Sequence, residues 1–247
     1  MSEVKKHYDE HLAVIYTWMA GGFEAAVERN RQLFRRLKFD RLLPGEAVDL
    51  GAGNGFQSIP LAELGFHTLA IDFCASLLGE MRERAGNLPI RTINDDILNF
   101  ARHMFEPVSL IVCLGDTLTH LPTLTAVKNL LADIADRLQE DGIVYLSFRD
   151  YASSASTGMK NFILVKSDAS KILTCLLEYE VEVVKVHDIL HFKIDEGWQI
   201  KVSSYQKLRL DKNLVVDFLT QKRFSIVKNE FENGMIHIIA RKGGLSI

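Results

Sequence analysis

Val48-Asp49-Leu50-Gly51-Ala52-Gly53-Asn54-Gly55 places three glycines at alternate positions behind an acidic residue. Glycine tolerates φ > 0 and lets a backbone approach a ligand closely, while a carboxylate at a strand end adds a hydrogen-bond acceptor. The segment therefore reads as a cofactor-binding turn between a strand and a helix. A nicotinamide-dinucleotide fingerprint would put its third glycine at residue 56, but residue 56 is Phe and the third glycine is Gly55. A ligand other than NAD is expected. Asp72 ends the next apolar run, 21 residues beyond Gly51, the separation at which a carboxylate can accept from ribose hydroxyls. After a third run comes Asn94-Asp95-Asp96-Ile97, where either carboxylate suits a ligand contact or a helix N-cap. His120 closes a fourth cluster, Gly115-Asp116-Thr117-Leu118-Thr119-His120, and is the candidate base or substrate ligand.

Asp-x-Gly-x-Gly-x-Gly resembles motif I of the class I S-adenosylmethionine-dependent methyltransferases, and the later clusters follow in that family's order. The resemblance implies that Asp49, Gly51, Ala52, Gly53 and Gly55 wrap the amino-acid end and ribose of S-adenosylmethionine. It makes Asp72, with Phe73 beside it, the ribose-binding acid. An acidic residue for the adenine amino group is implied at Asp95 or Asp96; Asp96, followed by apolar Ile97, matches better. The run 110–121 resembles motif IV, which assigns Leu114, Gly115 and Asp116 to the cofactor and Thr117 and His120 to the methyl acceptor. Cys-Leu-Gly-x-x-x-x-His-Leu at 113–121 and Phe148-Arg149-Asp150-Tyr151 are similar to small-molecule N-methyltransferases of the glycine and sarcosine type, which adds Arg149 and Tyr151 to the acceptor side. Two departures stand out. Ser109 opens the fourth strand where aspartate is frequent, and Asp116-Thr117 stands where glycine-type enzymes often carry Asn-Ser.

The implied reaction is in-line displacement of an already activated methyl group onto a small acceptor, an amine in preference to a hydroxyl. It rests on positioning and water exclusion, and needs a base only if the acceptor must first lose a proton. Nucleic-acid amino-methyltransferases carry Asn/Asp-Pro-Pro-Tyr/Phe at the end of strand four; Leu114-Gly115-Asp116-Thr117 has neither proline. Cys113 lies inside an apolar strand, where packing is favoured over nucleophilic catalysis. No metal site is expected, and the two other readings are a methyltransferase acting on RNA or protein and a non-catalytic S-adenosylmethionine-binding regulator.

Short apolar runs at 47–50, 68–71, 90–93, 109–114 and 143–148 alternate with helical patterns at 57–64, 75–85, 98–104 and 124–139. Such alternation predicts βαβ units and a parallel sheet. With the resemblance, the expected fold is α/β, a Rossmann-like doubly wound, seven-stranded, mostly parallel sheet. Residues 1–42 form an N-terminal helical lid, broken at Gly21-Gly22, in which Tyr16 and Trp18 are candidate substrate contacts. Residues 43–150 form the cofactor-binding core. Residues 151–210 form an inserted antiparallel meander of three strands (172–180, 181–194 and 198–210), and 211–247 supply a helix at 214–221, capped by Asp211 or Asn213, and a hairpin completing the core sheet.

The chain has 247 residues, Lys+Arg 29 against Asp+Glu 32, and a net charge of -3. It lacks the basic excess of a protein that binds by neutralising phosphates, so nucleic acid is not the expected partner. Arg29, Arg31, Arg35, Arg36 and Lys38 share a helix with Glu24 and Glu28 and read as a solvated face. Three scattered cysteines support neither disulfides nor zinc. Residues 1–10 hold no apolar export signal, and the most apolar run, 108–115, is far short of the roughly 20 residues of a membrane span. A soluble cytoplasmic protein is expected.

Overall fold

The structure is a computed structural model that describes residues 3–153 and 157–243. The stretches 1–2, 154–156 and 244–247 of the expected lid, insert and tail lie outside the described residues. The main sheet holds β1 (Glu46–Leu50), β2 (His67–Asp72), β3 (Ile90–Asn94), β4 (Val108–Cys113), β5 (Leu138–Arg149), β10 (Phe224–Glu232) and β11 (Met235–Lys242), in the order β10-β11-β5-β4-β1-β2-β3. Strands β1 to β5 are parallel, and β11 joins β5 antiparallel. All six residues of β4 are buried, as a strand covered on both faces requires, whereas edge strand β3 has none fully buried.

Helices α3 (Phe23–Arg36), α4 (Ser58–Leu64) and α5 (Ala75–Ala85) cover one face. α6 (Leu124–Arg137), α7 (Lys212–Gln221) and a 3-10 helix at Ile97–His103 cover the other. Ahead of them, α1 (Glu3–His7), a π turn, a 3-10 turn and α2 (Tyr16–Met19) form the expected N-terminal helical stretch. It ends at Gly21 and Gly22, whose φ values of 91° and 101° end the helix. Because β1 pairs with both β2 and β4, the chain reverses its direction of winding between them, and a crevice opens at their carboxyl ends.

The insert has four strands where three were expected: β6 (Lys160–Ser167), β7 (Lys171–Tyr179), β8 (Val183–Ile194) and β9 (Gly197–Leu208), antiparallel and in sequence order. Strand β6 hides from a pattern search because Phe162, Ile163, Leu164 and Val165 are consecutive apolar residues at an edge, and a register shift interrupts their alternation. The expected helix at 98–104 is the 3-10 helix, capped by Asp96, whose carboxylate accepts from Leu98 N–H at 2.9 Å. α7 is capped by Asp211. α6 stops at Arg137 and β5 begins one residue later, so the chain re-enters the sheet earlier than the Asp141-Gly142 stop suggested.

Candidate active site

A cavity of about 330 Å³ opens at the β1/β4 crevice and extends beneath the N-terminal helices and β9. Of the residues singled out in the sequence, Gly51, Gly53, Asp72, Phe73, Asp96, Ile97, Leu114, Gly115, Asp116, Thr117, His120 and Tyr16 line it. Gly51 and Gly53 have φ of 77° and 53°. A Cβ on Gly51 would lie 2.5 Å from Thr117 Cγ2, so the β1 and β4 loops meet only because residue 51 has no side chain. Asp72 steadies the turn. Its Oδ2 accepts from Gly53 N–H at 2.8 Å and its Oδ1 from Cys74 N–H at 2.7 Å. Burial pushes this carboxyl above its ordinary pKa, and those two N–H donors work against the rise.

Six expected site residues do not line the cavity. Asp49 is buried behind the loop, accepting from Ser58 Oγ at 2.6 Å, and burial raises its pKa to about 7 despite that bond. Ala52 packs with Ala70, Leu78 and Met81, and Gly55 is needed for packing, since its Cβ would lie 2.6 Å from Met81 Cγ. Trp18 turns away to Asp168, to which Nε1 donates at 2.5 Å, with Lys166 and Lys171 over its ring. Arg149 is exposed and lies near the β10–β11 turn at Gly234. Tyr151 is buried, spending its hydroxyl on Asp116 at 3.0 Å. Asp95 is likewise engaged away from the cavity, with His103 Nε2 at 2.7 Å and Asn99 at 3.0 Å.

The end of the cavity beneath β9 has two residues that the sequence reading missed. Lys207 of β9 forms an ion pair with Asp116 and sits 3.4 Å from Tyr151 Oη, over the rings of Tyr151 and Tyr205. Asp116 Oδ1 also accepts from Thr119 Oγ1 at 2.8 Å and Arg149 N–H at 3.0 Å. Burial alone would raise the Asp116 pKa; the Lys207 ammonium overrides it and holds the carboxyl below its ordinary value. Burial would discharge Lys207, but Asp116 keeps it charged, with its pKa raised. Tyr8 is the second residue, packed edge-on against Phe73 and His120. A signal existed for both: Lys207 shares the inward phase of β9 with Tyr205, and Tyr8 precedes Leu12 and Ile15 at helical spacing.

His120 stacks on Tyr205 with centroids 5.5 Å apart, and its Nδ1 is buried with no hydrogen-bond partner among the described residues. Burial first, and Lys207 second, lower its pKa to about 3. The ring is therefore neutral and a weak base, with Nδ1 left to make a hydrogen bond. Among the described residues no cluster of three His, Cys, Asp or Glu is placed to hold a metal ion, and no helix is long and apolar enough to cross a membrane. On the basic helix, Arg31 is neutralised by Glu63 and Glu28, and Arg29 donates to the Ala20 carbonyl.

Residues 47–142 match the protein family described as the methyltransferase domain. The segment spans β1 to the start of β5 and contains both loops that build the crevice. Over that segment the chain is similar to methyltransferase domains. The chain is 32% identical over 116 residues to a glycine/sarcosine N-methyltransferase of Aphanothece halophytica, covering 46% of this chain and 44% of that protein. Over 144 residues it is 26% identical to the glycine N-methyltransferase of Mus musculus, covering 51% and 49%. The chain thus spans less than half the length of these curated relatives. Among solved structures, the CcbJ methyltransferase from Streptomyces caelestis superposes with a TM-score of 0.78 at 17% identity, covering 99% of this chain and 100% of that one. DesVI of Streptomyces venezuelae gives 0.73 at 13% identity over 92% and 95%. These neighbours share the fold over nearly all of this chain, while the family match lies within residues 47–142.

Proposed function

We propose that the protein transfers the methyl group of S-adenosylmethionine to the nitrogen of a small acceptor. The observation that carries the reading is the single cavity running from the Gly51-Gly53 turn and Asp72 to an enclosed polar end at His120 and Lys207. The cofactor fits the donor set. The Gly51-Gly53 turn puts backbone at the cavity wall for its amino-acid end, Asp72 offers carboxylate lone pairs to ribose hydroxyls, and Asp96 with Ile97 would face the adenine ring. S-adenosylmethionine supplies a sulfonium methyl activated for displacement, so the protein's task is alignment and exclusion of water.

Tyr8, Tyr16 and β9 cover the acceptor end. An amine must present its lone pair to form the new N–C bond; the neutral His120 ring, its pKa held near 3, can accept a hydrogen bond from the amine N–H but is too weak a base to keep its proton, which leaves with the methylated product to solvent. Lys207, charged and fixed by Asp116, disfavours a protonated amine beside it and favours the neutral nucleophile. The N-methyltransferase names among the relatives support an amine acceptor. An enclosed end suits a small molecule better than RNA or protein.

Titration calorimetry with S-adenosylmethionine tests the cofactor half: heat of binding is expected for the wild type and its loss for Asp72→Ala, while equal binding by both removes Asp72 from the site. Labelled cofactor offered to glycine, sarcosine, amino sugars, RNA and protein tests the acceptor half. Label in RNA or protein alone would overturn the small-molecule reading.

A further inference from the structure

Asp188 of β8 is a buried carboxylate outside the cavity, with Cys175 of β7 and Ser203 of β9 as its cross-strand neighbours. The three side chains form a row on the inner face of the insert. His7, the last residue of α1, is seated on that row and is itself buried. Its Nδ1 is 2.8 Å from Ser203 Oγ, its Nε2 makes an ion-pair contact with Asp188 Oδ2 at 3.2 Å, and Cys175 Sγ donates to Asp188 Oδ1 at 2.5 Å. Burial would raise the Asp188 pKa, but His7 and Cys175 override it and hold the carboxyl below its ordinary value. An ionised carboxylate only accepts, so a His7 proton sits on Nε2 facing it, and Ser203 engages the other nitrogen. Both edges of the imidazole are committed, which fixes its plane.

The fixed ring reaches the site through two others. His7 stacks on Tyr205 with centroids 4.1 Å apart and meets Tyr8 edge-on at 5.9 Å, while His11 stacks on His7 at 5.3 Å. Tyr205 and Tyr8 are also the rings that pack on His120, at 5.5 Å and 5.7 Å. His120 has no polar partner at Nδ1 among the described residues, so these rings, not a hydrogen bond at that nitrogen, set its orientation. We infer, on the reading of His120 given for the proposed reaction, that His7 is a positioning residue: anchored by Asp188 and Ser203, it holds Tyr205 and Tyr8, and through them the ring of His120.

Aromatic contacts accept offset and edge-on arrangements alike, so ring packing by itself selects no single orientation. A polar anchor at one end of the array does. An apolar residue would fill the place of Asp188 without the desolvation cost of a buried carboxylate, so what the carboxylate adds is direction. His7 does not line the cavity and acts only through the tyrosines. It belongs to the N-terminal segment and Asp188 to the insert, so His120 is held only while the two are seated together. The titratable groups that face His120 are Lys207, Asp116, His7 and Asp188, with Tyr8 and Tyr205 against its ring.

NMR of the full chain with labelled histidine tests the anchoring, the His120 signal being assigned by its absence in His120→Phe. In the wild type that signal is expected to be displaced by the neighbouring rings and to stay untitrated from pH 5 upward, as a pKa of about 3 requires. In Asp188→Ala and His7→Ala it is expected to lose the displacement and to titrate closer to the ordinary 6.5, because the ring loses its fixed neighbours and gains water. The signals of His67 and His103, which start β2 and end the 3-10 helix, should keep their wild-type positions, which separates a local effect from general loosening. Asp188→Asn keeps the shape and an acceptor oxygen for Nε2–H, and is expected to restore the wild-type His120 signal. Ser203→Ala should move it in the same sense by less, and decides the matter if Asp188→Ala fails to fold. Methyl transfer from labelled S-adenosylmethionine to sarcosine should fall at least about tenfold in kcat in Asp188→Ala and return in Asp188→Asn. A His120 signal unmoved in folded Asp188→Ala or Ser203→Ala, or moved as far by Asn as by Ala at residue 188, overturns the positioning role. Absence of methyl transfer by the wild type to any amine, with the signals behaving as expected, would instead sink the proposed reaction and leave the anchoring of His120 standing.

Discussion

Lys207 and Asp116 form a buried ion pair that ties the inserted sheet to the end of β4, across 91 residues of sequence. The two side chains are only 9% and 13% exposed, and the carboxylate is saturated by Thr119, Arg149 N–H, Tyr151 and Lys207 together. One contact therefore sets both the position of β9 over the cavity and the charge state of the cavity end beneath it.

Replacing Lys207 by Met leaves Asp116 buried among neutral donors. Removing one partner of such a pair destabilises by about 3–5 kcal/mol, whereas removing both can be nearly neutral. Urea denaturation is expected to show a large loss for Lys207→Met and recovery of most of it in Lys207→Met/Asp116→Asn. Methyl transfer should stay low in both, since the double variant restores packing without the cation. Full stability in the single variant would mean that the pair carries no structural role.

Gly51→Ala sets a Cβ against Thr117, 2.5 Å from Cγ2, at a φ of 77°. Backbone strain of this kind costs on the order of 1–3 kcal/mol. Cofactor affinity measured by calorimetry should fall at least tenfold, about 1.4 kcal/mol. Trimming the neighbour in Gly51→Ala/Thr117→Ala should recover only part, because the conformational strain at residue 51 persists. Complete recovery would assign the whole effect to the clash.

The core was legible because central parallel strands are apolar runs and crossover helices keep a helical period; 47–50 and 68–71 differ from β1 and β2 by one residue at their ends. The glycine turn and Asp72 were legible because close approach requires particular residue types there. Asp49 and Gly55 belong to the same motif yet serve Ser58 and Met81, and no spacing rule separates a residue that touches a ligand from one that shapes the loop. Lys207 was hidden for another reason. Its significance lies in a contact with Asp116, and a lysine within a strand ordinarily marks a solvated position. Strand β6 was hidden because Phe162, Ile163, Leu164 and Val165 run on without the apolar-polar alternation that marks a half-buried strand.

Asp49 is 1% exposed and its carboxyl has a pKa of about 7, raised chiefly by burial from an ordinary 3.8. The folded state holds that proton more tightly than the unfolded chain, so folding stability falls as pH rises from about 4 to 7. Asp49→Asn keeps an acceptor for Ser58 and removes the titration. At pH 8 it should be more stable than wild type, by about 1–3 kcal/mol at most, and the difference should vanish near pH 4. A variant that is less stable at pH 8 would show that the ionised carboxylate is favoured in the fold.

His120 has the opposite sign. Its pKa is about 3 in the folded protein, against an ordinary 6.5, because burial and Lys207 both disfavour the imidazolium. Between those values the unfolded chain binds more protons than the folded one, so stability rises with pH through the window and is complete above 6.5. The contribution is lost as pH falls towards 3, at a slope of at most about 1.4 kcal/mol per pH unit. His120→Phe keeps a ring to stack on Tyr205 and cannot titrate, so its stability between pH 4 and 6.5 should depend less steeply on pH than that of the wild type. Activity supplies the second readout. Since His120 is already neutral from pH 5 upward, the wild-type rate should show no histidine inflection near 6.5 and should instead follow deprotonation of the acceptor amine. An inflection at 6.5 that disappears in His120→Phe, with unchanged stability slopes, would place a solvated histidine at this position and remove the neutral hydrogen-bond acceptor from the proposed reaction.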